Sequence, residues 1–202
     1  MDINTFIFDL GAVLIDWNPR YVFDQLIADQ ERRAFFFQNI CTAEWNETQD
    51  AGRSLQEATE TLVHLHPDWK NEIEAYYGRW NEMLGGAIPG SVEILKRLKA
   101  SGKYRLYALT NWSTETFPVA LERFGFLHWF DGRVVSGEEK MRKPFPEFYK
   151  VLLERFQVTP AEALFIDDNL RNIQGAQAVG IQTLQFHSAQ QLEHDLKAMH
   201  LL

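Results

Sequence analysis

The chain has 202 residues, 46% of them hydrophobic and 24% charged, with 20 Lys and Arg against 28 Asp and Glu. That length and balance suit one substantial core with an appended segment, and they exclude disorder, collagen-like repeats and disulfide scaffolds. A formal charge of −8 without any Lys/Arg cluster removes the electrostatic footprint of a nucleic-acid or anionic-membrane binder, so any phosphate must be held by a few local groups.

In chain order, the first element is a strand over Thr5–Phe8, a short apolar run that stops at Asp9 and turns through Gly11. Residues 18–86 differ from the rest: they carry helix starts, much of the aromatic content and no strand signal. Asn18-Pro19, Ser54 with Glu57 three residues on, and Pro67 each mark the beginning of a helix. This stretch reads as a helical insertion joined through residues 15–17 and 85–90, a cap over the sheet with Gly85-Gly86 as its hinge. An amphipathic helix over 91–100 follows, with Val92, Leu95 and Leu98 inward and Gly102 at its C-terminal stop. Strands come next at 106–109, ending in Thr110-Asn111, and at 133–135, ending in Ser136-Gly137. A helix over 146–156 opens with proline and presents Phe148, Val151, Leu152 and Phe156 on one face. A strand at 164–166 runs into Asp167-Asp168, and one at 181–184 precedes a final helix with a capping box of Ser188 and Gln191.

Strands alternating with helices predict an α/β fold: a doubly wound, Rossmann-like parallel sheet built from residues 1–15 and 88–202, with residues 16–87 as the inserted helical cap. In such a sheet the ligand crevice lies beyond the carboxyl ends of the strands. Asp9, Thr110-Asn111, Ser136-Gly137 and Asp167-Asp168 therefore converge there. Three carboxylates in one crevice repel one another and hold their protons unless something positive compensates. A hard divalent cation, Mg²⁺, is the natural answer, because it prefers oxygen ligands and keeps several waters. Lys143, just before Pro144, adds a fixed ammonium, and together these groups make a site for a phosphoryl group.

Four segments, Phe8-Asp9-Leu10-Gly11-Ala12-Val13-Leu14, Leu109-Thr110-Asn111, Arg142-Lys143-Pro144 and Phe165-Ile166-Asp167-Asp168-Asn169, resemble in order and spacing the four motifs of the haloacid dehalogenase-like hydrolase superfamily. The likeness covers the chain nearly end to end and is greatest to the helical-cap branch, subfamily I, that contains bacterial α-D-glucose-1-phosphate phosphatase and the N-terminal phosphatase domain of soluble epoxide hydrolase. The resemblance implies a Mg²⁺-dependent phosphatase acting on a small phosphorylated metabolite, a sugar phosphate foremost. It implies Asp9 as the nucleophile that forms an aspartyl-phosphate, with Lys143 holding both it and the phosphate. It gives Thr110 and Asn111 as donors to the phosphoryl oxygens, Asp168, Asp9 and the Gly11 carbonyl as metal ligands, and Asp167 as an outer or water-mediated partner. Trp17 and Trp112 are the candidate substrate-binding aromatics, from a set with Trp45 and Trp80 that could line a cleft between cap and core.

One position departs from the family. Phosphatases of the superfamily usually carry a second aspartate two residues after the nucleophile, to protonate the leaving oxygen and activate water, and here that position is Gly11. General acid–base help is worth about 10²–10⁴-fold, so its absence predicts a slow enzyme, a substrate with a good leaving group, or an acid brought from elsewhere, Asp16 and Glu47 being conceivable. Two alternatives follow. One is a 2-haloacid dehalogenase, which uses the same nucleophile on carbon without a metal, but Asp167-Asp168 would repel a haloacid's carboxylate. The other is a catalytically weak binding or regulatory protein. Dinucleotide, phosphate-loop, serine-hydrolase and C-x-x-C motifs are absent, and the six histidines lack the spacing of a zinc site. A single cysteine, Cys41, and an N-terminal stretch without a basic, apolar leader predict a cytoplasmic protein. No apolar run is long enough for a membrane span, and nothing in the sequence marks an oligomeric state.

Overall fold

Alternating apolar residues along each strand decide how the sheet is buried. The computed structural model describes residues 2–202; Met1, the first residue of the N-terminal stretch discussed above, lies outside them. Seven strands are formed: β1 (Thr5–Phe8), β2 (Ile15–Trp17), β3 (Leu84–Ala87), β4 (Arg105–Thr110), β5 (Gly132–Val135), β6 (Ala163–Asp167) and β7 (Gln182–Gln185). Five of them make one parallel sheet in the order β5-β4-β1-β6-β7. The chain therefore builds outward from β1 on one side, then crosses β1 to build on the other, and the switch falls at β1 and β6, where Asp9, Asp167 and Asp168 emerge.

Among the described residues there are also eleven α-helices: α1 (Arg20–Leu26), α2 (Gln30–Phe35), α3 (Ala43–Asp50), α4 (Leu55–Leu65) and α5 (Lys70–Gly78) between β2 and β3, then α6 (Pro89–Ser101), α7 (Phe117–Arg123), α8 (Ser136–Glu139), α9 (Pro146–Arg155), α10 (Leu170–Ala178) and α11 (Ala189–Ala198). One face of the sheet presents Phe6, Phe8, Leu106, Ala108, Leu164 and Ile166 to Ile94, Leu95 and Leu98 of α6 and to Leu192 and Leu196 of α11. The other presents Ile7, Tyr107, Leu109 and Phe165 to Phe148, Tyr149 and Leu152 of α9 and to Ile173 and Ala176 of α10. Each such fully buried phenylalanine or leucine contributes about 1.5–3 kcal/mol, which holds the strand ends, and the polar residues they carry, in fixed register.

Helix punctuation follows the sequence signals. Gly102 adopts the left-handed conformation (φ 66°) that ends α6, and Ser54 and Ser188 accept from the main-chain N–H groups of Glu57 and Gln191. Gln191 completes its side of the box one residue early, accepting from the N–H of His187. Between β2 and β3 the helices pack on an aromatic nucleus of their own, with the Phe23 ring centroid 4.8 Å from Phe36 and 5.3 Å from Phe37.

The structure corrects the sequence reading at the two connections of the helical segment, which are strands. Leu84–Ala87, in a stretch without strand signal, is a strand, antiparallel to β2 with Ile15 opposite Ala87 and Asp16 opposite Gly86. Two consecutive glycines hide the signal because glycine weakens β propensity. They are needed there nonetheless: a Cβ on Gly85 would overlap the Asp16 carboxylate. The two connections of the helical segment are thus hydrogen-bonded to each other.

Candidate active site

Asp9 stands one residue beyond β1, its main-chain N–H still donating to the carbonyl of Ile166 at 2.9 Å, so the ladder that ends the strand also fixes the carboxylate. Lys143 reaches it from the loop before α9. Its Nζ lies 2.8 Å from Asp9 Oδ1 and 2.7 Å from Asp167 Oδ2, with only 1% of the side chain exposed. Asp167 is fully buried and saturated. Besides Lys143 it accepts from the N–H of Asn169 at 2.8 Å and from Asn172 Nδ2 at 3.1 Å. Asp168, by contrast, is exposed. Asp9, Asp167 and Asp168 each offer an oxygen within 4.8 Å of the others, the one such group of potential metal ligands among the described residues. An all-oxygen set suits a hard cation, and because three groups, Lys143, Asn169 and Asn172, already donate to Asp167, Asp9 and Asp168 are the two carboxylates free to hold it.

Burial pushes the Asp9 carboxyl up to about 7; the charges of Asp167 and Asp168 add to this, while Lys143 opposes it. Lys143 itself is disfavoured by burial, but Asp167 and Asp9 outweigh that and raise its pKa, so it is held as an ammonium. Burial, followed by the charge of Asp167, raises Asp168 as well. Asp50, from the end of α3, is likewise pushed up to about 7 by burial and by Glu47. An acid whose folded pKa is raised stabilises the fold below its unfolded value, about 4, and loses that contribution as pH rises through 7. The metal-free protein is therefore expected to lower its Tm between pH 5 and 8, and Mg²⁺ to raise Tm more at pH 8 than at pH 5. Calorimetric scans at the two pH values, with and without the ion, would read this. A Tm that climbs with pH, or a Mg²⁺ effect equal at both, contradicts the assignment.

Two adjoining chambers, which share lining residues, open above these groups. The larger, about 380 Å³, is lined by Asp9, Lys143, Asp168, Asn111 and, from the helical segment, Glu47 and Asp50. The smaller, about 110 Å³, lies between Gly11 and the aromatic walls of Trp17, Tyr77, Trp80 and Trp112. The sequence candidates distribute unevenly over them. Trp17 and Asn111 line both chambers, and Trp112 lines the smaller, with its buried indole N–H unpartnered. Asn111 is largely committed: its Oδ1 accepts from the Lys143 N–H at 2.9 Å and its Nδ2 donates to the Lys143 carbonyl at 3.1 Å, which clamps the lysine loop. Thr110 lines neither chamber, and its hydroxyl is buried without a protein partner. Trp45 packs against Tyr76 and Tyr77. Of the two conceivable replacement acids, Glu47 is held by Arg142 at 2.8 Å and Arg171 at 2.6 Å, and Asp16 lines neither chamber and accepts from Tyr21.

The residue missed from sequence is Asp50. The available signal was electrostatic: Asp50 occupies the last position of α3, where the helix dipole disfavours a negative charge. Ser136, at the strand end predicted to reach the crevice, is fully buried and lines neither chamber. Its hydroxyl accepts from the Trp112 N–H at 2.8 Å and donates to the Asp50 carbonyl, tying α3 to the sheet. Behind the site, a Cβ on Gly175 would overlap the Pro144 carbonyl oxygen and approach the Tyr149 hydroxyl at 2.9 Å. Gly175→Ala is therefore expected to cost about 1–3 kcal/mol and to lower activity by displacing the loop that carries Lys143. Denaturant melts and initial rates measure the two effects, and an unchanged melt removes the packing constraint.

A family model described as a haloacid dehalogenase-like hydrolase matches residues 3–180. A sesquiterpene phosphatase of Aspergillus oryzae is 30% identical over 178 residues, covering 87% of this chain and 85% of that protein. A drimenol cyclase of Aspergillus calidoustus is 25% identical over 196 residues, or 96% of this chain, but the match spans only 36% of the cyclase. Among solved structures, the magnesium complex of a HAD family enzyme from Bacteroides thetaiotaomicron superposes with a TM-score of 0.75 at 25% identity, covering 98% of this chain and 100% of that one.

Proposed function

The chain belongs to the haloacid dehalogenase-like hydrolases, and on that footing we propose that it is a Mg²⁺-dependent phosphatase of a small phosphorylated metabolite, working through an aspartyl-phosphate on Asp9. The observation that carries the reading is the approach of the Asp9 and Asp168 oxygens to within 4.8 Å at the floor of an open chamber, with the Lys143 ammonium 2.8 Å from the nucleophile. Mg²⁺, when held by Asp9, Asp168 and the Gly11 carbonyl, supplies charge neutralisation for the transferring group. Asp9 attacks phosphorus, and the Lys143 charge favours its ionised form against burial and screens the incoming phosphate. Asn111 lines the chamber and has a second Nδ2 hydrogen to give to a phosphoryl oxygen, whereas the buried Thr110 hydroxyl lines neither chamber. Asp167, with every lone pair engaged inside the protein, anchors Lys143.

The helices of residues 16–87 act as a cap that closes the aromatic chamber over the substrate's organic part. Trp17 and Trp112 supply apolar faces there, and Asn46 and Asn111 supply polar groups. That combination suits a ring bearing hydroxyls, such as a sugar phosphate. No helix is long and apolar enough to cross a membrane, and a cytoplasmic setting is part of the proposal. The dehalogenase reading is weaker, because a carbon-directed nucleophile gains nothing from two further carboxylates within 4.8 Å and a haloacid would be repelled by them. Phosphate release from a panel of sugar, alkyl and aryl monoesters, with Mg²⁺ and with excess chelator, tests the proposal. Release that requires the metal is expected. Halide release from haloacids without metal, and no phosphate from any ester, would overturn it.

A further inference from the structure

If a phosphoryl group is transferred at Asp9, its leaving oxygen must take a proton or depart as an alkoxide. The phosphate belongs in the larger chamber and the organic part in the smaller, so the oxygen joining them lies where the chambers meet. Four residues line both: Trp17, Asn46, Asp50 and Asn111. Only one of the four carries a proton that it can give up. We propose that Asp50, reaching in from α3, is the general acid and base for the leaving oxygen, supplying from the helical segment the function that Gly11 leaves vacant beside the nucleophile. The proposal rests on the phosphatase reading above.

The other ionisable groups of the two chambers are excluded by what they already do. Asp9 is the nucleophile, Asp168 is assigned to the cation, and Lys143 lies between two carboxylates. Two arginines hold Glu47. Burial drives Cys41, Tyr76 and Tyr77 far above their ordinary values, and Tyr77 donates to Asn46 Oδ1 at 2.9 Å. Asp50 has one carboxylate oxygen, Oδ2, accepting from Asn46 Nδ2 at 3.2 Å. The groups that face it set its acidity near neutral: burial and the charges of Glu47 on the same helix and Asp9 at the end of β1 raise it, whereas Arg142 and the Ser113 main chain lower it. Tyr76 and Tyr77 of α5 are the remaining ionisable neighbours.

The chemistry balances in two steps. Asp9 oxygen bonds to phosphorus as the bond from phosphorus to the leaving oxygen breaks, and the Asp50 carboxyl proton passes to that oxygen to release an alcohol. Water then enters from the side the alcohol left. Asp50, now a carboxylate, takes one of its protons as its oxygen bonds to phosphorus, and the bond from phosphorus to Asp9 breaks. Inorganic phosphate departs, Asp9 is again a carboxylate and Asp50 is again protonated.

The test uses Asp50→Asn, which keeps the acceptor for Asn46 and leaves the Asp50 carbonyl with its Ser136 contact. Two probes are compared on one protein preparation: the alkyl monoester that the panel shows to be hydrolysed fastest, and p-nitrophenyl phosphate, whose leaving oxygen needs no proton. The expected result is a loss of roughly 10²–10³-fold on the alkyl ester and of less than about tenfold on the aryl ester. Because both rates come from one sample, any unfolded fraction cancels in their ratio. Gly11 has room for a replacement acid, since a Cβ there meets nothing within 4 Å. Adding Gly11→Asp to Asp50→Asn is expected to restore at least about tenfold on the alkyl ester. Equal losses on both probes, without recovery in the double variant, would overturn the proposal and leave the phosphatase reading intact. A panel from which the wild-type protein releases no phosphate would instead overturn that reading.

Discussion

Asp9→Asn is expected to abolish phosphate release, by roughly 10⁴-fold or more, while leaving the protein folded. The amide has the carboxylate's shape but cannot form the covalent intermediate, so the loss is one of chemistry. Stability should not suffer. Asp9 is buried, its pKa is pushed up to about 7, and Asp167 and Asp168 crowd it, so the wild-type chain bears a desolvation and repulsion cost that the amide relieves. Lys143 still has Asp167 as its counter-charge. In metal-free buffer at pH 8 the variant is expected to melt no lower than wild type, and Mg²⁺ should raise its Tm less, because one of the two carboxylates proposed to hold the ion is gone. Residual turnover within a few-fold of wild type would remove Asp9 as the nucleophile.

Lys143→Met is expected to damage both activity and folding. The wild-type ammonium is buried between Asp9 and Asp167, and its removal leaves a fully buried Asp167 whose charge is met only by Asn169 and Asn172. Breaking a buried pair from one side costs about 3–5 kcal/mol. The transferring phosphoryl group also loses a fixed charge, for which roughly 10²–10³-fold in rate is expected. Lys143→Arg is not expected to rescue it. The slot holds a compact point charge between two carboxylates beside the Phe165 ring, 5.5 Å from Nζ, and a planar guanidinium does not fit that shape. Urea melts with initial rates separate the two losses. A variant with wild-type stability would remove the buried Lys143–Asp167 pair as a contact that holds the fold.

Much of the parallel sheet was legible from sequence. β1 lies over Thr5–Phe8 as predicted, and the strands at 106–109, 133–135 and 164–166 lie within β4, β5 and β6, which extend them by one or two residues. The last strand is displaced by one, to Gln182–Gln185. Strands buried on both faces must be apolar throughout and short, and their ends must turn polar where the chain meets water, so a local pattern is enough. The pairing of β2 with β3 was not legible, because Gly85 and Gly86 carry no side-chain signal: Gly85 leaves room for the Asp16 carboxylate and Gly86 adopts a φ of 143°. Likewise nothing near Asn111 in the sequence says that its amide clamps the Lys143 main chain from 32 residues away.

By itself, then, the chain's linear order determined the α/β architecture, the helical insertion and which polar residues stand at strand ends. Those follow from periodicity and covalent adjacency, since a residue one step past a buried strand has only one edge of the sheet at which to appear. Tertiary packing alone decided that Asp167 is saturated while Asp168 is open, that Glu47 is locked by Arg142 and Arg171, and that Asp50 faces the junction of the two chambers. A helix's own residues do not specify its rotation about its axis. For α3 that is set by the packing of Trp45 on Tyr76 and Tyr77 and by the contact of Ser136 with the Asp50 carbonyl, both made between residues distant in the chain.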